Sequence, residues 1–295
     1  MKLIKDFCKE KRIFYKEEEP LANYTTLRIG GSSKLIVFPE EDTLRDLMAV
    51  IKNESIPYYI IGGGSNLLIS DRGFRGVIIN TRKMNRIEQE GLKITLSSGV
   101  MLEKVLAFLS QKKLSGMEGL IGIPGTIGGA IYGNAGSFGY EIKDCLQEIT
   151  VIDEKLEYKT LKQEDINFSY RSSGLPKNFI ITAACFKLKQ ENIDIVSKMK
   201  EFLLQKRLSQ PLKERSAGCV FKNPDGHSAG YLIDKAGLKG TRIGDIVVSS
   251  LHANYFINVG CGKAEDFLKL MDTVKERVFK VFSIELEPEI KYLEG

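Results

Sequence analysis

Apolar and polar positions in the first half of the chain predict strands and helices in succession. Leu35 to Phe38 is a short apolar run typical of a buried strand, and residues 42–54 place apolar side chains at helical spacing. Further strands are predicted at 58–61, 77–79, 93–96, 149–152 and 179–188, and a further helix at 102–112. The first half is therefore expected to mix helices with sheet.

The second half begins with helical periodicity after a polar stretch. Residues 189–192 are the candidate linker, which divides the chain into predicted domains at 1–190 and 191–295. Helices are predicted at 195–208, 228–236 and 264–282, and a last strand at about 284–293.

Charge and hydropathy exclude several classes of protein. The net charge of +5 is small, and the 27% of charged residues mix both signs, so no nucleic-acid partner is expected. The N-terminal segment lacks the apolar core of a signal peptide, and no apolar run approaches the about 18 residues of a spanning helix. We expect a cytoplasmic protein without a membrane partner.

Cysteine and histidine are too few and too scattered for a metal site. The five cysteines contain no C-x-x-C pair, and the only histidines are His227 and His252. We expect reduced thiols, no metal, and an organic cofactor for any redox chemistry. The cysteines are Cys8, Cys145, Cys185, Cys219 and Cys261.

Gly62 to Asn66 directly follows a predicted strand and is a candidate anion-binding turn. Backbone N–H groups can approach a diphosphate only where side chains are small. A Rossmann fingerprint from Gly62 requires glycine where Leu67 stands, and a Walker A motif fails because Ala264 follows Gly262–Lys263. A tight turn without any ligand remains the alternative for this one cluster.

A second glycine-rich stretch favours an anion-binding turn over a tight turn without a ligand. Residues 116–139 contain nine glycines among 24 residues, a density that predicts no regular secondary structure. Within it, residues 122–130 expose backbone as the first cluster does. Two such loops indicate a cofactor with two phosphates and an extended body. Gly133 to Gly136 offers little side-chain bulk and suits the edge of a flat ring.

Three segments carry a family resemblance: residues 61–69 (IGGGSNLLI), 119–130 (GLIGIPGTIGGA) and 134–136 (NAG). Together they resemble the UDP-N-acetylenolpyruvoylglucosamine reductase family, and the likeness spans nearly the whole chain. The resemblance implies an α+β protein with the two-subdomain FAD-binding fold of the vanillyl-alcohol oxidase and p-cresol methylhydroxylase type and a C-terminal α+β substrate-binding domain. The cofactor contacts that it implies are Gly62, Gly63, Gly64, Ser65, Asn66, Gly125, Thr126, Gly128, Gly129, Ala130 and Asn134.

The same resemblance implies an activity. NADPH reduces FAD, and the flavin then reduces UDP-N-acetylglucosamine enolpyruvate, a small nucleotide-sugar substrate, to UDP-N-acetylmuramate for peptidoglycan synthesis. The FAD is expected to be non-covalent, since no histidine precedes position 227, and the protein to be a monomer. A hydroxy-acid oxidase or dehydrogenase of the same fold, and a non-catalytic nucleotide-sugar-binding protein, remain alternatives.

Reduction of an enolpyruvyl ether requires stabilisation of an enolate-like charge and a proton donor besides the hydride. Arg171 is the candidate clamp for the substrate carboxylate, because a guanidinium presents a fixed fork of donors. Its alternative is a surface salt bridge. Glu289 matches the family's catalytic glutamate, although Glu287 beside it is a competitor for that role.

Cys219 stands where the family more often carries serine, and the resemblance makes it the proton donor. A thiol is mostly protonated near neutral pH and is a stronger acid than an aliphatic hydroxyl, so cysteine can serve there. The alternative is a small buried apolar residue. Tyr170, Lys222 and Asn223 are the candidate substrate-binding residues, and His252 is expected to be structural.

Overall fold

The computed structural model describes residues 1–191 and 194–295 and contains two compact units. The first unit comprises residues 1–17, 35–63 and 76–204, and the second comprises residues 18–34, 64–75 and 205–295. Two short early segments therefore fold with the C-terminal third of the chain.

Helices and strands are numbered in chain order. The α-helices are α1 (Lys2–Glu10), α2 (Glu41–Asn53), α3 (Leu102–Lys112), α4 (Ile127–Tyr132), α5 (Ile195–Ser209), α6 (Ala229–Lys235) and α7 (Ala264–Phe282). The strands are β1 (Phe14–Pro20), β2 (Ser32–Phe38), β3 (Tyr58–Ile61), β4 (Leu67–Ile69), β5 (Phe74–Asn80), β6 (Ile87–Glu90), β7 (Lys93–Ser97), β8 (Gly136–Ser137), β9 (Tyr140–Glu141), β10 (Leu146–Ile152), β11 (Tyr158–Lys162), β12 (Ile180–Lys187), β13 (Arg242–Ile243), β14 (Ile246–Val248), β15 (Phe256–Asn258) and β16 (Lys291–Leu293).

Two sheets organise the first unit. One has the order β1-β2-β5-β3, with β3 and β5 parallel, and the other is an antiparallel sheet of order β11-β10-β12-β7-β6. Helix α2 buries Leu44, Leu47, Met48 and Ile51, the residues whose spacing predicts it. The glycine turn at residues 62–63 follows β3 directly, so the first sheet fixes its position.

The second unit packs α6 and α7 with the antiparallel sheet β13-β14-β15. Its core contains a run of aromatic contacts from Phe221 through Phe256 to Phe267 of α7, with ring centroids 6.1 Å and 5.2 Å apart. Strand β4 pairs in parallel with β16 in the same unit. The core thus anchors the segment that contains Cys219 on one side and helix α7 on the other.

Several expectations need correction. Residues 116–139 are not free of regular structure: they contain α4 and strand β8, which pairs with β9 just beyond them. Thr126 accounts for the helix, because its hydroxyl accepts the N–H of Gly129 and caps the N-terminus. The predicted last strand is also too long. The observed strand is only β16, Lys291–Leu293; Pro288 forms an isolated β-bridge with Phe221, and Glu289 precedes the strand.

The compact units also differ from a single division at residue 190. Residues 195–204 of α5 belong to the first unit, as does Lys189, whose backbone exchanges hydrogen bonds with Ser115. Residue 192, the end of the predicted linker, lies outside the described residues. The functional domain boundaries stay a prediction.

All five cysteines are free thiols. Burial raises the pKa of Cys8 to about 11 and, with the charge of Asp144, that of Cys145 to about 12. Within the described residues, no α-helix combines the length and the apolar character needed to cross a bilayer.

A long-range cap should contribute measurably to the stability of the second unit. The carboxylate of Asp71 accepts the N–H groups of Ala264 and Glu265 at 2.9 and 3.1 Å. We expect Asp71→Ala to lower the free energy of unfolding by about 1–2 kcal/mol, the value of an N-terminal cap. Urea denaturation measures this, and Asp272→Ala, exposed on α7, is the control. Equal losses in both variants would contradict the capping role.

Candidate active site

The first unit brings the two predicted glycine loops together. A β-carbon on Gly63 would lie 2.7 Å from the Cα atom of Gly125, and one on Gly62 would overlap the hydroxyl of Thr126. Such separations are too short for real side chains, so both glycines are required for the approach. Two loops more than sixty residues apart in sequence therefore meet backbone to backbone.

Backbone donors remain available where the loops meet. Among residues 1–191 and 194–295, the N–H groups of Gly62, Gly63, Gly125 and Thr126 donate no backbone hydrogen bond. Neighbouring N–H groups with no internal acceptor are what a phosphate needs.

The N–H groups further along the second loop are used internally. Gly128 donates to the carbonyl of Ser98 at 2.8 Å, and Ala130 donates to the carbonyl of Thr126 at 2.8 Å. With Gly129 bonded to the Thr126 hydroxyl, these three residues form the first turn of α4. Contacts of Gly128, Gly129 and Ala130 with FAD stay predictions, and they cannot rest on amides that are already bonded.

Buried polar atoms in the same unit lack internal partners. Ser98 Oγ and Asn134 Oδ1 have no hydrogen-bond partner among the described residues, and both residues are buried. Leaving such an atom unsatisfied costs about 1–3 kcal/mol, which a polar ligand recovers. Together with the side-chain-free loops, these atoms fit a large polar cofactor with a diphosphate, as FAD is.

The end of the first glycine loop belongs to the second unit, where it makes hydrogen bonds to other segments of that unit. Gly64 adopts a φ of +63° and its carbonyl accepts the N–H of Thr26 at 3.2 Å. Asn66 donates its side-chain amide to the carbonyl of Glu289 at 3.2 Å and accepts the N–H of Lys291 at 3.1 Å with its own carbonyl. Asn66, predicted to bind the cofactor, thus holds the backbone of a predicted catalytic residue.

Cys219 and Glu289 lie on neighbouring segments of the second unit. The N–H of Glu289 donates to the carbonyl of Val220 at 2.8 Å, and Phe221 forms a β-bridge with Pro288. On its other side, Cys219 forms a β-bridge with Tyr255. The structure therefore brings two of the three predicted catalytic residues together, and Arg171 belongs to the first unit.

Glu287 and Glu289 differ in surroundings. Lys222 Nζ lies 2.5 Å from Glu287 Oε1, and the side chain of Glu287 is 69% exposed. Glu289 is half-buried. An exposed, ion-paired carboxylate is the weaker candidate for proton chemistry, which favours Glu289 over its neighbour. Lys222 and the neighbouring Asn223, whose Oδ1 accepts the N–H of Ala229 at 3.0 Å, both have internal partners.

Arg171 stands at the tip of a tight turn in the first unit. Ser169 and Ser172 exchange two backbone hydrogen bonds of 2.9 and 3.1 Å, and Arg171 between them has a φ of +58°. Its Nη1 donates to the carbonyl of Gly136 at 3.1 Å, and its guanidinium carbon lies 5.2 Å from the ring centre of the exposed Tyr170. The guanidinium is therefore held by both a hydrogen bond and an aromatic ring.

Asn254 has a structural role that the sequence patterns did not predict. Its buried amide donates to the carbonyl of Phe221 at 2.7 Å and accepts the N–H of Phe221 at 2.9 Å, which fixes the segment next to Cys219. The sequence feature that could have indicated this role is a single asparagine in the mostly apolar segment His252 to Phe256. His252 itself is structural, since its Nδ1 accepts the N–H of Asn254 at 3.3 Å and burial lowers its pKa.

Two family models match the chain. One, described as an FAD binding domain, matches residues 33–161, and one, described as the C-terminal domain of UDP-N-acetylenolpyruvoylglucosamine reductase, matches residues 210–293. The matches lie inside the predicted domains 1–190 and 191–295. The reductase of that name from Caldicellulosiruptor bescii is 41% identical over 97% of this chain and 93% of its own length.

Solved structures agree on the fold. The crystal structure of UDP-N-acetylenolpyruvylglucosamine reductase from Thermus caldophilus has a TM-score of 0.82 and 34% identity, over 95% of this chain and 98% of that chain. Glucooligosaccharide oxidase from Acremonium strictum, with a cysteinyl- and histidyl-linked FAD, gives 0.51 and 15% over 93% and 58%, which is a likeness of fold alone. The predicted α+β, FAD-binding fold class is confirmed.

Two glycine variants should separate packing from cofactor contact. Gly63→Ala forces the loops apart. We therefore expect the apoprotein of this variant to unfold at lower temperature, and the variant as purified to contain little FAD. A β-carbon on Gly129 meets only Thr126 Oγ1 at 3.6 Å, and alanine is favoured over glycine in a helix by about 1 kcal/mol. We expect Gly129→Ala to bind less FAD without a loss of apoprotein stability.

Flavin absorbance per chain and thermal unfolding of the apoprotein measure the two effects. Full flavin content in Gly129→Ala would remove Gly129 from the predicted contacts. An unchanged unfolding temperature in Gly63→Ala would contradict the close packing of the loops.

Proposed function

Because this chain belongs to the UDP-N-acetylenolpyruvoylglucosamine reductase family, we propose that it reduces UDP-N-acetylglucosamine enolpyruvate to UDP-N-acetylmuramate with electrons from NADPH and with bound FAD. The observation that carries the proposal is the likeness to such a reductase over 97% of the chain. The product is a precursor of peptidoglycan. The activity is that of an oxidoreductase acting on a carbon–carbon double bond.

The first unit supplies the groups that would hold FAD. The N–H groups at Gly62–Gly63 and Gly125–Thr126 suit its diphosphate, and Ser98 Oγ and Asn134 Oδ1 are buried acceptors that need partners. FAD held there would supply the redox chemistry, the transfer of a hydride from NADPH to the substrate alkene. The chain has no histidine before position 227, so we propose non-covalent binding.

Arg171 binds the carboxylate of the enolpyruvyl group. The guanidinium stays charged at every working pH and can offer two parallel donors to a carboxylate. As hydride reaches the alkene, negative charge develops toward this carboxylate, and a fixed cation stabilises that charge more than it stabilises the substrate. The bond from Nη1 to Gly136 and the ring of Tyr170 limit the motion of the clamp.

Cys219 Sγ supplies the proton, and Glu289 assists charge stabilisation. The segments of both residues are fixed by backbone bonds, through Val220 and Phe221, rather than by their side chains alone. A donor held by backbone geometry can stay aligned while its side chain exchanges a proton. Tyr170, Lys222 and Asn223 are proposed to bind the nucleotide sugar, and Lys222 must then exchange Glu287 for a substrate group.

We also propose that the protein acts as a monomer in the cytoplasm, where its nucleotide-sugar substrate and NADPH are available. Analytical ultracentrifugation of the FAD-bound protein tests the first part.

An anaerobic two-step titration tests the function. We expect NADPH to bleach the flavin absorbance near 450 nm, roughly as for other flavoenzymes, and the enolpyruvyl nucleotide to restore it. Recovery with oxygen alone, and none with the enolpyruvyl nucleotide, would contradict the reductase and favour an oxidase. A protein that never bleaches would favour a binding function without catalysis.

Variants of Cys219 test the proton donor. We expect Cys219→Ser to retain substantial turnover, because a hydroxyl can also give a proton. Cys219→Ala should slow reoxidation by the enolpyruvyl substrate by about 10²–10⁴-fold, the usual contribution of a general acid, while NADPH still reduces the flavin. Stopped-flow absorbance separates the two half-reactions.

Cys261→Ala is the matched control, because Cys261 is exposed in the same unit. It should behave as the unaltered protein in both half-reactions. Full turnover by Cys219→Ala would exclude Cys219 from the mechanism.

A further inference from the structure

Arg171 belongs to a closed ring of contacts in the first unit. The ring joins its own turn, the β8–β9 hairpin and Asn134. The Nη1 of Arg171 donates to the carbonyl of Gly136 at 3.1 Å. Gly136 pairs across the β8–β9 hairpin with Glu141. The guanidinium is therefore hydrogen-bonded to this hairpin, and contacts that hold the hairpin in place also restrict the guanidinium.

Asn134 connects that hairpin with the turn on which Arg171 stands. Its Nδ2 donates to Glu141 Oε2 at 3.2 Å and to the carbonyl of Ser169 at 3.1 Å. Ser169 is the first residue of the turn that carries Arg171. The Asn134 side chain is fully buried, and its φ of +42° is one that asparagine tolerates better than most residues.

Glu141 supplies the charge in this ring. Its Oε2 accepts from Asn134 and also lies 2.7 Å from Lys143 Nζ. Burial opposes ionisation, but hydrogen bonds from Lys143 and Asn134, with the charges of Lys143 and Arg171, lower the pKa of Glu141 below its usual value. At neutral pH Glu141 is therefore a carboxylate that interacts electrostatically with the Arg171 guanidinium.

We propose that Asn134 and Glu141 are positioning residues for Arg171: they join the turn of Arg171 to the β8–β9 hairpin, so that the guanidinium is preformed to receive the substrate carboxylate. This inference rests on the proposed role of Arg171 as the carboxylate clamp. Neither residue needs to touch the substrate for its effect.

The physical reason is preorganisation. A long arginine side chain loses about 2 kcal/mol of rotamer freedom when it is fixed. Here folding fixes the turn and the guanidinium before substrate arrives, so that cost does not fall on binding. Without the ring, Arg171 keeps its charge but has to be ordered by each carboxylate that it binds. The loss should therefore appear only with ligands that carry a carboxylate.

A pair of ligands isolates that effect. UDP-N-acetylmuramate carries a carboxylate, and UDP-N-acetylglucosamine lacks it. Calorimetric titration of each into the FAD-bound protein gives a ratio of dissociation constants that reports the 3-O-lactyl group with its carboxylate. We expect Glu141→Gln and Asn134→Gly to reduce this preference by about tenfold or more, the size of one hydrogen bond to a charged group. In Glu141→Gln, affinity for UDP-N-acetylglucosamine should hardly change.

The variants are chosen to preserve the backbone. Glycine tolerates the left-handed φ of residue 134, and glutamine at position 141 retains the shape but replaces the charged acceptor of Asn134 with a weaker, neutral one. Glu141→Gln alone decides the question if Asn134→Gly fails to fold. Lys143→Gln is the matched control, because it removes the other partner of the same carboxylate and leaves the ring intact. It should keep the full preference.

Arg171→Met distinguishes an error in the proposed role of Arg171 from an error in the positioning inference alone. If it keeps the preference for the carboxylate ligand, or if the unaltered protein has none, the role of Arg171 is wrong and the inference falls with it. If Arg171→Met abolishes the preference while Glu141→Gln and Asn134→Gly retain it, only the positioning inference is wrong. Equal weakening of both ligands would also overturn it, since that is the mark of general damage.

Discussion

Contact between the backbones of Gly63 and Gly125 is the constraint on which the first unit's binding surface depends. A β-carbon on Gly63 would lie 2.7 Å from the Cα atom of Gly125, so the first loop can carry no side chain at the contact. In the part of the chain that the structure describes, N–H groups of both loops donate to no backbone acceptor. The hydroxyl of Thr126 has two contacts: it occupies the space that a side chain at Gly62 would need, and it caps the N-terminus of α4. Cofactor binding and loop packing therefore rely on the same few atoms.

In the second unit, a continuation of the first glycine loop holds the backbone of a predicted catalytic residue. The chain turns at Gly64 with a φ of +63°, and Asn66 then holds the carbonyl of Glu289. Parallel pairing of β4 with β16 extends that contact. One loop thus has N–H groups without a backbone acceptor among the described residues at its start, and at its end a side chain that holds the backbone of Glu289, a predicted catalytic residue. This explains why residues 64–75 belong with the C-terminal third of the chain.

Sequence periodicity predicted the long elements well, because their burial repeats within each element. Helices α2 and α7 match their apolar spacing. Helix α4 was missed because two glycines argue against a helix, whereas the packing of Gly128 on Ser98 and the Thr126 cap outweigh that propensity. The split units, and the pairing of the Cys219 and Glu289 segments, depend on contacts between distant residues. No local pattern encodes those contacts.

The architecture also explains how the segment that contains Cys219 is held in place. The bonds that hold this segment run through the backbones of Val220 and Phe221 and through the side chain of Asn254. These bonds involve the backbone that follows position 219, so a different side chain at that position leaves them in place. Burial keeps the thiols of Cys8 and Cys145 protonated far above neutral pH, whereas Cys219 is only half-buried. Of these three thiols, only Cys219 combines a fixed backbone with partial access to ligands.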